Sequence, residues 1–328
     1  MSKLRIDPYI LAILAMVATA SVFPVSGQSA VVAGYAVNFA IGLLFFLHGA
    51  RLAPSAALAG ARNWKLHAVV MLATFALFPA LGLLARAALP GLLPGPLWTG
   101  FILLCVLPST VQSSIAFTSI ARGNVAAALC SATASNLLGM GLTPLLAGFL
   151  LSSNGGFSMH GLLEIVEQLL LPFAAGQLAR PLIGAFVARH KKVLGWVDRG
   201  SILMVVYVAF SEGVTQGIWH QLSPSDLAAL VVLDCALLAA VMTITLYGSR
   251  LMGFSRADEI TIVFCGSKKS LASGLPMATV LMAGPSVGLV VLPLMLFHQV
   301  QLMVCAAMAK RYANTTPVPI EALAEAAD

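Results

Sequence analysis

The sequence predicts an all-α membrane protein with ten transmembrane helices, arranged as two inverted repeats of five. Three features support this fold class: the composition, the number of long apolar segments, and a polar interruption at a matching place in each half. Of the 328 residues, 59% are hydrophobic and 9% are charged, and the mean hydropathy is +0.96. An ordinary soluble domain carries about 25% charged residues. The composition therefore predicts a chain embedded in a lipid bilayer.

Ten apolar segments have about the 20-residue length needed to cross the hydrocarbon core. They lie at residues 8–26, 31–50, 67–89, 97–121, 125–151, 161–187, 195–217, 226–249, 257–283 and 285–309. The first apolar stretch, from Tyr9 to Val25, exceeds the roughly 7–15-residue core of a cleaved signal peptide, so we expect a membrane helix there. We expect one membrane domain over residues 1–328, ending in a polar tail at 314–328.

The positions of lysine and arginine predict the topology. Under ten spans, fifteen of these residues lie on the side of the two termini, Arg86 lies opposite, and Lys268 and Lys269 lie within the membrane. Cytoplasmic loops collect Lys and Arg, so we expect both termini in the cytoplasm and the chain in the cell inner (plasma) membrane. The net charge of +6 is scattered over short loops, which does not predict a nucleic-acid partner. The fifteen are Lys3, Arg5, Arg51, Arg62, Lys65, Arg122, Arg180, Arg189, Lys191, Lys192, Arg199, Arg250, Arg256, Lys310 and Arg311.

A Ser- and Gly-rich loop, Ser152–Gly156, separates five spans from the next five. An odd number of spans per half makes the second half enter the membrane from the opposite side. If the halves share a fold, residues 1–155 and 156–313 form an inverted repeat. The fourth segment then corresponds to the ninth.

Both of these segments are interrupted by polar residues. The fourth contains Pro108-Ser109-Thr110-Val111-Gln112-Ser113-Ser114, and the ninth contains Gly266-Ser267-Lys268-Lys269-Ser270. Proline removes a backbone donor, and serine and threonine can bond to freed backbone groups. We expect non-helical backbone near Ser109–Gln112 and Gly266–Lys268, with Gly274 and Pro276 aiding the unwinding. The alternative is a single kinked helix in each segment.

Polar breaks in matching segments indicate a transporter's substrate site, and charge at membrane depth is usually functional. On the neighbouring fifth segment, Thr133 and Asn136 lie one turn apart and could supply oxygens near the break. His298, Gln299 and Gln301 form a polar stripe on the tenth segment that could support the ninth. The candidate substrate- or ion-binding residues are Ser109, Thr110, Gln112, Ser113, Ser114, Thr133, Asn136, Asp234, Ser267, Lys268 and Lys269.

Two motifs carry a resemblance to a known family. The run Ala121-Arg122-Gly123-Asn124-Val125 and the run Gly266-Ser267-Lys268-Lys269-Ser270-Leu271-Ala272-Ser273-Gly274 resemble the bile acid:sodium symporter superfamily, in its bacterial symporter-like branch. The resemblance implies a panel of spans 1, 2, 6 and 7 and a core of spans 3–5 and 8–10. It also implies that the broken spans 4 and 9 cross at the centre of the core.

The chain departs from the sodium-coupled members of that superfamily. These offer a Ser-Asn pair in the fourth span, a Glu and then a Gln in the ninth, and a Gln in the third. The corresponding positions here are Ser113-Ser114, then Phe264 and Lys268, then Thr74. A cation is repelled by a nearby ammonium group, so we expect no sodium coupling.

Three interpretations of Lys268 remain open. It could act as a built-in counter-cation that attracts an anionic substrate, or it could titrate and couple transport to protons. It could also be neutralised by Asp234 or Glu212 and serve packing alone. Adjacent helical residues point about 100° apart, so we expect one of the two lysines to face the site, and the resemblance favours Lys268.

These features predict a secondary active or facilitative transporter of a small organic anion, working by alternating access without sodium. Its expected partners are the lipid bilayer, a small anionic substrate and, as a candidate coupling ion, the proton. We expect no cofactor and no metal. The alternatives are a cation/proton exchanger that uses an intramembrane Lys or Asp, and a membrane regulator or scaffold with a transporter fold. The sequence has no His-Glu-x-x-His, Gly-x-Ser-x-Gly or Walker motif, so we do not expect an enzyme.

Overall fold

The computed structural model describes residues 8–51, 63–151, 167, 170–215, 217, 222–282 and 286–315. In this part of the chain every regular element is helical. The helices are α1 (Pro8–Val22), α2 (Gly27–Arg51), α3 (Trp64–Ala88), α4 (Gly95–Val106), α5 (Gln112–Ile120), α6 (Val125–Leu151), α7 (Leu171–Arg189), α8 (Lys191–Thr215), α9 (Pro224–Leu251), α10 (Arg256–Gly266), α11 (Leu271–Leu281) and α12 (Val287–Thr315).

Seven of these helices are long and apolar enough to cross a membrane: α2, α3, α6, α7, α9 and α12 over their full length, and α8 from Lys192. The fourth predicted segment is divided into α4 and α5, and the ninth into α10 and α11. The all-helical membrane fold is therefore confirmed, while the count of ten spans in two inverted repeats remains a prediction. The dividing loop Ser152–Gly156 lies outside the described residues. The helix α12 includes Asn314 and Thr315, the first two residues of the predicted polar tail.

Large apolar side chains cover the outside of the helices. Leu182 on α7 is 87% exposed and Phe149 on α6 is 82% exposed. Apolar residues exposed in such numbers would be a liability in water. In a bilayer they face lipid tails, as the composition predicts.

The helices form two groups by their contacts. The first group comprises α1, α2, α7 and α8; the second comprises α3 to α6 and α9 to α12. The two groups meet where α8 packs against α11 and α12. This grouping agrees with the panel and core that the family resemblance implies, and we use those two names for the groups.

Within the panel, α2 and α7 approach each other closely at two glycines. A Cβ atom on Gly176 would lie 2.0 Å from the Phe46 carbonyl oxygen, and one on Gly49 would lie 2.1 Å from the Phe173 carbonyl oxygen. Small residues allow membrane helices to pack backbone against backbone. The panel is therefore built around a tight α2–α7 pair.

Candidate functional site

The candidate site is the junction of two helix breaks. Residues 107–111 separate α4 from α5, and residues 267–270 separate α10 from α11. The predicted breaks are confirmed, but their bounds are corrected: Gln112 begins α5 and Gly266 ends α10. The expectation that Gly274 and Pro276 extend the unwinding is wrong, because both lie within α11.

The two breaks touch each other directly. The Ser109 hydroxyl donates to the Cys265 carbonyl oxygen at 2.6 Å, and the Ser270 amide donates to the Pro108 carbonyl oxygen at 2.9 Å. Each break thus supplies partners for backbone groups that the other leaves without helical bonds. Buried backbone groups need such partners, so neither break is expected to hold its shape without the other.

Helix α6 supplies partners for three more backbone groups at the first break. The Thr143 hydroxyl donates to the Val106 carbonyl oxygen at 2.8 Å, and the Ser109 amide donates to the Ser135 hydroxyl at 3.0 Å. Asn136 donates to the Ser109 carbonyl oxygen at 2.7 Å and accepts a bond from the Ser273 hydroxyl at 3.1 Å. Asn136 therefore bridges the first break and α11.

Thr133, one turn before Asn136, does not share this role. It is buried, but no hydrogen bond joins it to either break within the described residues. Ser135 and Thr143 make such bonds and were not among the candidates. Their signal in the sequence is weak, because small hydroxyl residues are common in membrane helices.

Lys269 binds three backbone carbonyls. Its Nζ donates to the carbonyl oxygens of Thr74, Cys105 and Leu107, each at 2.8 Å. It also lies 4.1 Å from the centre of the Phe78 ring. An ammonium group has three donors, so these bonds use all of them. Cys105 and Leu107 lie at the carboxyl end of α4, where the helix dipole favours a cation.

The Thr74 carbonyl has no helical hydrogen bond because of a π-helical turn in α3, at Ala73–Leu77. In this turn the Phe78 amide bonds to the Ala73 carbonyl oxygen, five residues back. The next donor in that register would be residue 79, which is proline and has no N–H. Pro79 therefore leaves a buried carbonyl for Lys269, and π turns are often found at functional sites.

Gln301 on α12 holds the backbone of Lys269. Its amide oxygen accepts the Lys269 N–H at 2.8 Å, and its amide nitrogen donates to the Lys269 carbonyl oxygen at 2.9 Å. His298 Nδ1 lies 2.8 Å from the same amide nitrogen. The polar stripe predicted on the tenth segment therefore supports the ninth through these two residues.

Lys268 has a different environment. Its Nζ donates to the Ser113 carbonyl oxygen at 2.7 Å and lies 4.0 Å and 5.4 Å from the ring centres of Phe117 and Phe264. Aromatic faces attract cations but do not replace hydrogen bonds. The Lys268 ammonium is thus held by one carbonyl and two rings.

Hydroxyl groups surround the same turn of α5. The Thr110 hydroxyl lies 2.6 Å from that of Ser113 and 3.2 Å from that of Ser114. Ser114 donates to the Phe264 carbonyl oxygen at 3.4 Å. Gln112 is exposed at the start of α5 and makes no hydrogen bond to either break in the described structure, whereas Ser267 is buried within the second break.

Both ammonium groups point into the junction, and Lys268 and Lys269 are both 0% exposed. Residues 267–270 are not helical, so the expected 100° separation of the two side chains does not apply. Which of the two lysines faces a substrate stays a prediction. No ion pair joins either lysine to a carboxylate among the described residues. Neutralisation by Asp234 or Glu212 is therefore absent there. Asp234 is buried on α9, and neither of its carboxyl oxygens has a hydrogen-bond partner in the described part.

The Ala121–Val125 motif fastens the turn between α5 and α6 to the start of α10. The backbone N–H of Asn124 donates to the Ala257 carbonyl oxygen at 3.1 Å, and its side-chain amide donates to Asp258 Oδ1 at 2.9 Å. Arg122 adopts a φ of 62°, and a Cβ on Gly123 would lie 2.7 Å from Ile260 Cγ2. The motif therefore ties the fourth segment to the ninth.

Comparison with known proteins agrees with this architecture. The model of the SBF-like CPA transporter family matches residues 7–314 of the chain. The chain belongs to the SBF-like CPA transporter family. It is therefore a membrane transporter by family, which agrees with the expectation that it is not an enzyme and with the resemblance to bile acid:sodium symporters.

Relatives of this SBF-like chain lie in bacteria and vertebrates. It is 54% identical to an uncharacterised protein of Pseudomonas aeruginosa, over 98% of this chain and 97% of that protein. It is 51% identical to YfeH of Escherichia coli, a protein classed by name as a symporter, over 95% and 94% of the two chains. It is 26% identical to sodium/bile acid cotransporter 7-B of Xenopus laevis, over 92% and 90%.

Proposed function

We propose that this protein carries a small organic anion across the inner membrane by alternating access, without sodium. One observation carries the proposal: two ammonium groups lie buried at the crossing of two broken helices, with no carboxylate paired to either among the described residues. An uncompensated buried charge is costly. An anion bound at the junction would compensate it.

Lys268 is the proposed anion-binding lysine. Lys269 has already used its three donors on carbonyl oxygens, whereas Lys268 makes a single hydrogen bond. Lys268 also lies beside the first turn of α5, where the helix dipole is positive. The hydroxyls of Thr110, Ser113 and Ser114 lie along the same turn. We assign supporting roles to Ser109, Asn136 and Lys269, which hold the junction together. The Ser267 hydroxyl is buried in the second break and has no hydrogen-bond partner in the described part of the chain, so it remains a candidate for substrate contact.

The environment of Phe264 supports sodium independence. Its side chain is 0% exposed and packs against the Phe117 and Tyr312 rings, with centroid distances of 6.1 and 5.9 Å. A hard cation needs several oxygen ligands, and this position offers an aromatic ring. Lys268 lies over that ring and would repel a metal ion placed there.

The closed state of the junction supports alternating access. Both lysines are inaccessible to solvent in this structure, so a substrate reaches them only when the panel moves relative to the core. The contacts of α8 with α11 and α12 are the interface that would open. In this proposal the two halves of the chain are inverted repeats. Movement of the panel against the core opens the binding site to one side of the membrane and then to the other.

The distribution of charge supports cytoplasmic termini. Arg250 and Arg256 bind Glu259 where α9 ends and α10 begins, and Arg51 binds Asp198 where α2 ends and α8 begins. These helix ends carry the basic residues that favour the cytoplasmic side. The start of α2 and the ends of α8 and α11 lie at the opposite end of the molecule, around a cavity described below.

A ligand screen on purified protein tests the proposal. Small carboxylates and sulfonates should raise the melting temperature, whereas matched neutral and cationic compounds should do so less. Lys268→Gln should abolish the shift given by anions. Thr133→Val is the matched control, because Thr133 is buried near the junction without a bond to either break among the described residues. Stabilisation by cations in preference to every anion would contradict the proposal.

A second candidate function is cation/proton exchange at Asp234. Its carboxyl group is fully buried, and both oxygens lack hydrogen-bond partners among the described residues. A carboxyl group in such a place is a candidate proton carrier. Exchange would appear as cation flux driven by a pH gradient in proteoliposomes, lost in Asp234→Asn and retained in Lys268→Gln. The reverse pattern would favour the anion transporter.

A further inference from the structure

Two adjoining cavities share Glu212: an inner one between the panel and the core, and an outer one lined by the panel. The inner cavity has a volume of about 190 Å³ and is lined by α2, α8, α11 and α12, with Asn38, Glu212 and Thr279 as its polar residues. The outer cavity, of about 460 Å³, is lined by α2, α8 and the turn before α2. Gly34, Val208 and Glu212 line both. Glu212 is the one charged residue in the described lining of the two cavities.

The Glu212 carboxylate is available to a ligand. Within the described residues it makes no ion pair and no side-chain hydrogen bond. The side chain is partly buried in the cavity wall. A carboxylate that is partly shielded from water and has no partner attracts a positively charged group placed beside it.

The neighbouring hydroxyl groups can accept further hydrogen bonds but have used their protons. Thr279 donates its hydroxyl to the Leu275 carbonyl oxygen at 2.8 Å, and Thr215 donates to the Glu212 carbonyl oxygen at 3.0 Å. The lone pairs of these hydroxyl oxygens remain, together with the Asn38 amide oxygen and the carboxylate. The lining therefore offers mainly acceptors and suits a ligand group rich in donors.

The size of the site distinguishes an organic cation from a bare metal ion. The inner cavity, at about 190 Å³, has room for several waters, so a metal ion there would keep most of its hydration shell. No group of three or more His, Cys, Asp or Glu able to hold a metal occurs in the described structure. An ammonium group on a small organic molecule has three N–H donors for the acceptors and an apolar part for the cavity walls.

We infer that the cavity around Glu212, Asn38 and Thr279 is a binding subsite for a small solute that carries an ammonium group. Glu212 supplies the counter-charge, and Asn38 and Thr279 accept the remaining donors. The subsite is separate from the lysine junction. Thr279 lies eight residues beyond Leu271, about 12 Å along α11, so a small molecule contacts the two places in turn.

The subsite and the proposed anion transport together define a substrate class. This step, unlike the subsite itself, rests on the proposed function. A molecule recognised by its ammonium group at Glu212 and by its anionic group at Lys268 is a small zwitterion. The two cavities would capture it at the end of the molecule opposite the basic helix ends. The binding of an ammonium group at Glu212 does not itself require transport.

Ligand-observed NMR titrations on purified protein in nanodiscs test the subsite with butylammonium, 4-aminobutyrate, butyrate and butanol at neutral pH. Butylammonium and 4-aminobutyrate should bind, and Glu212→Gln should weaken butylammonium about tenfold or more, as expected for a charge-assisted hydrogen bond. Thr279→Val should weaken it less. Ser211→Ala is the control: Ser211 is the preceding residue, is buried and does not line the cavity, so binding should equal that of the unmodified protein.

Three results would overturn the subsite: butylammonium affinity unchanged by Glu212→Gln, butanol binding as tightly as butylammonium, or displacement of butylammonium by sodium or potassium at equal concentration. The last would identify a metal-ion site. Lys268→Gln separates this inference from the proposed function. If butylammonium binding persists in that variant while no anion is bound or transported by the unmodified protein, the proposed function fails and the subsite stands.

Discussion

Lys268 and Lys269 are neighbours in the chain, but their ammonium groups reach different helices. Lys269 joins α3 to the end of α4 through three carbonyl oxygens, and Gln301 holds its backbone from α12. Lys268 reaches α5 and two aromatic rings. Lys269 is thus placed to stabilise the junction, and Lys268 is the lysine that we propose binds an anion.

This difference predicts separate effects of two matched substitutions. Lys269→Met should lower the free energy of unfolding by about 3 to 5 kcal/mol, because three buried carbonyls lose their donor. Lys268→Met should cost much less, since it removes one hydrogen bond. Thermal unfolding in detergent measures both. Equal losses of stability would show that the three bonds of Lys269 carry no special weight.

A second residue pair tests the bridge made by Asn136. Asn136→Ala should destabilise the protein by about 2 kcal/mol or more, because the Ser109 carbonyl and the Ser273 hydroxyl lose a buried partner. Thr133→Val on the same helix should cost less than about 1 kcal/mol. If both variants unfold at the same temperature, the bridge does not stabilise the junction.

At the residue scale, the sequence pointed to the two helix breaks where its chemistry is unusual. Two lysines in an apolar segment are conspicuous, as is a Pro/Ser/Thr run. The acceptors of Lys269 are backbone carbonyls, which carry no residue signature, and the freeing of the Thr74 carbonyl depends on a π turn combined with Pro79. The sequence contains Pro79 but does not reveal which register the preceding turn adopts.

At the level of elements, α4 depends on a close approach to α12. A Cβ on Gly100 would lie 2.1 Å from the Val290 carbonyl oxygen, and α4 leads directly into the first break. The positions of both helices therefore fix the carbonyls that Lys269 binds. The break bounds were predicted to within a residue or two, because proline and glycine mark them, whereas this packing has no local signal.

Gly100→Ala should therefore force α4 and α12 apart and lower stability by about 1 to 3 kcal/mol. Gly141→Ala on α6 is the matched control, because nothing lies within 4 Å of a Cβ at that position, and alanine is a better helix former. It should be neutral or slightly stabilising. Unfolding curves that show Gly100→Ala to be as stable as Gly141→Ala would contradict the packing argument.

At the scale of the whole molecule, panel and core meet through few helices, and the charged helix ends lie at the end opposite the Glu212 cavities. The all-helical membrane fold was readable from the sequence, since hydropathy acts along the chain, whereas the count of ten spans and the charge-based orientation stay predictions. The grouping into panel and core needed a family resemblance, because helix contacts in lipid are set by small-residue packing with no distinctive periodicity.

The topology gives a prediction at this scale. Reporter fusions at Asp328 and at Gly155 should report opposite sides of the membrane, with the carboxyl terminus in the cytoplasm, because an odd number of spans separates the two sites. Fusion at Arg86 should agree with Gly155. A periplasmic carboxyl terminus would contradict the charge argument and the inverted repeat together.

The most direct test of the central claim is uptake of a stabilising organic anion into proteoliposomes, measured in sodium and in potassium buffers of equal ionic strength. We predict equal rates in the two buffers, and loss of uptake in Lys268→Gln but not in Thr133→Val, because Lys268 supplies the positive charge. Uptake that requires sodium, or that survives Lys268→Gln unchanged, would contradict the account.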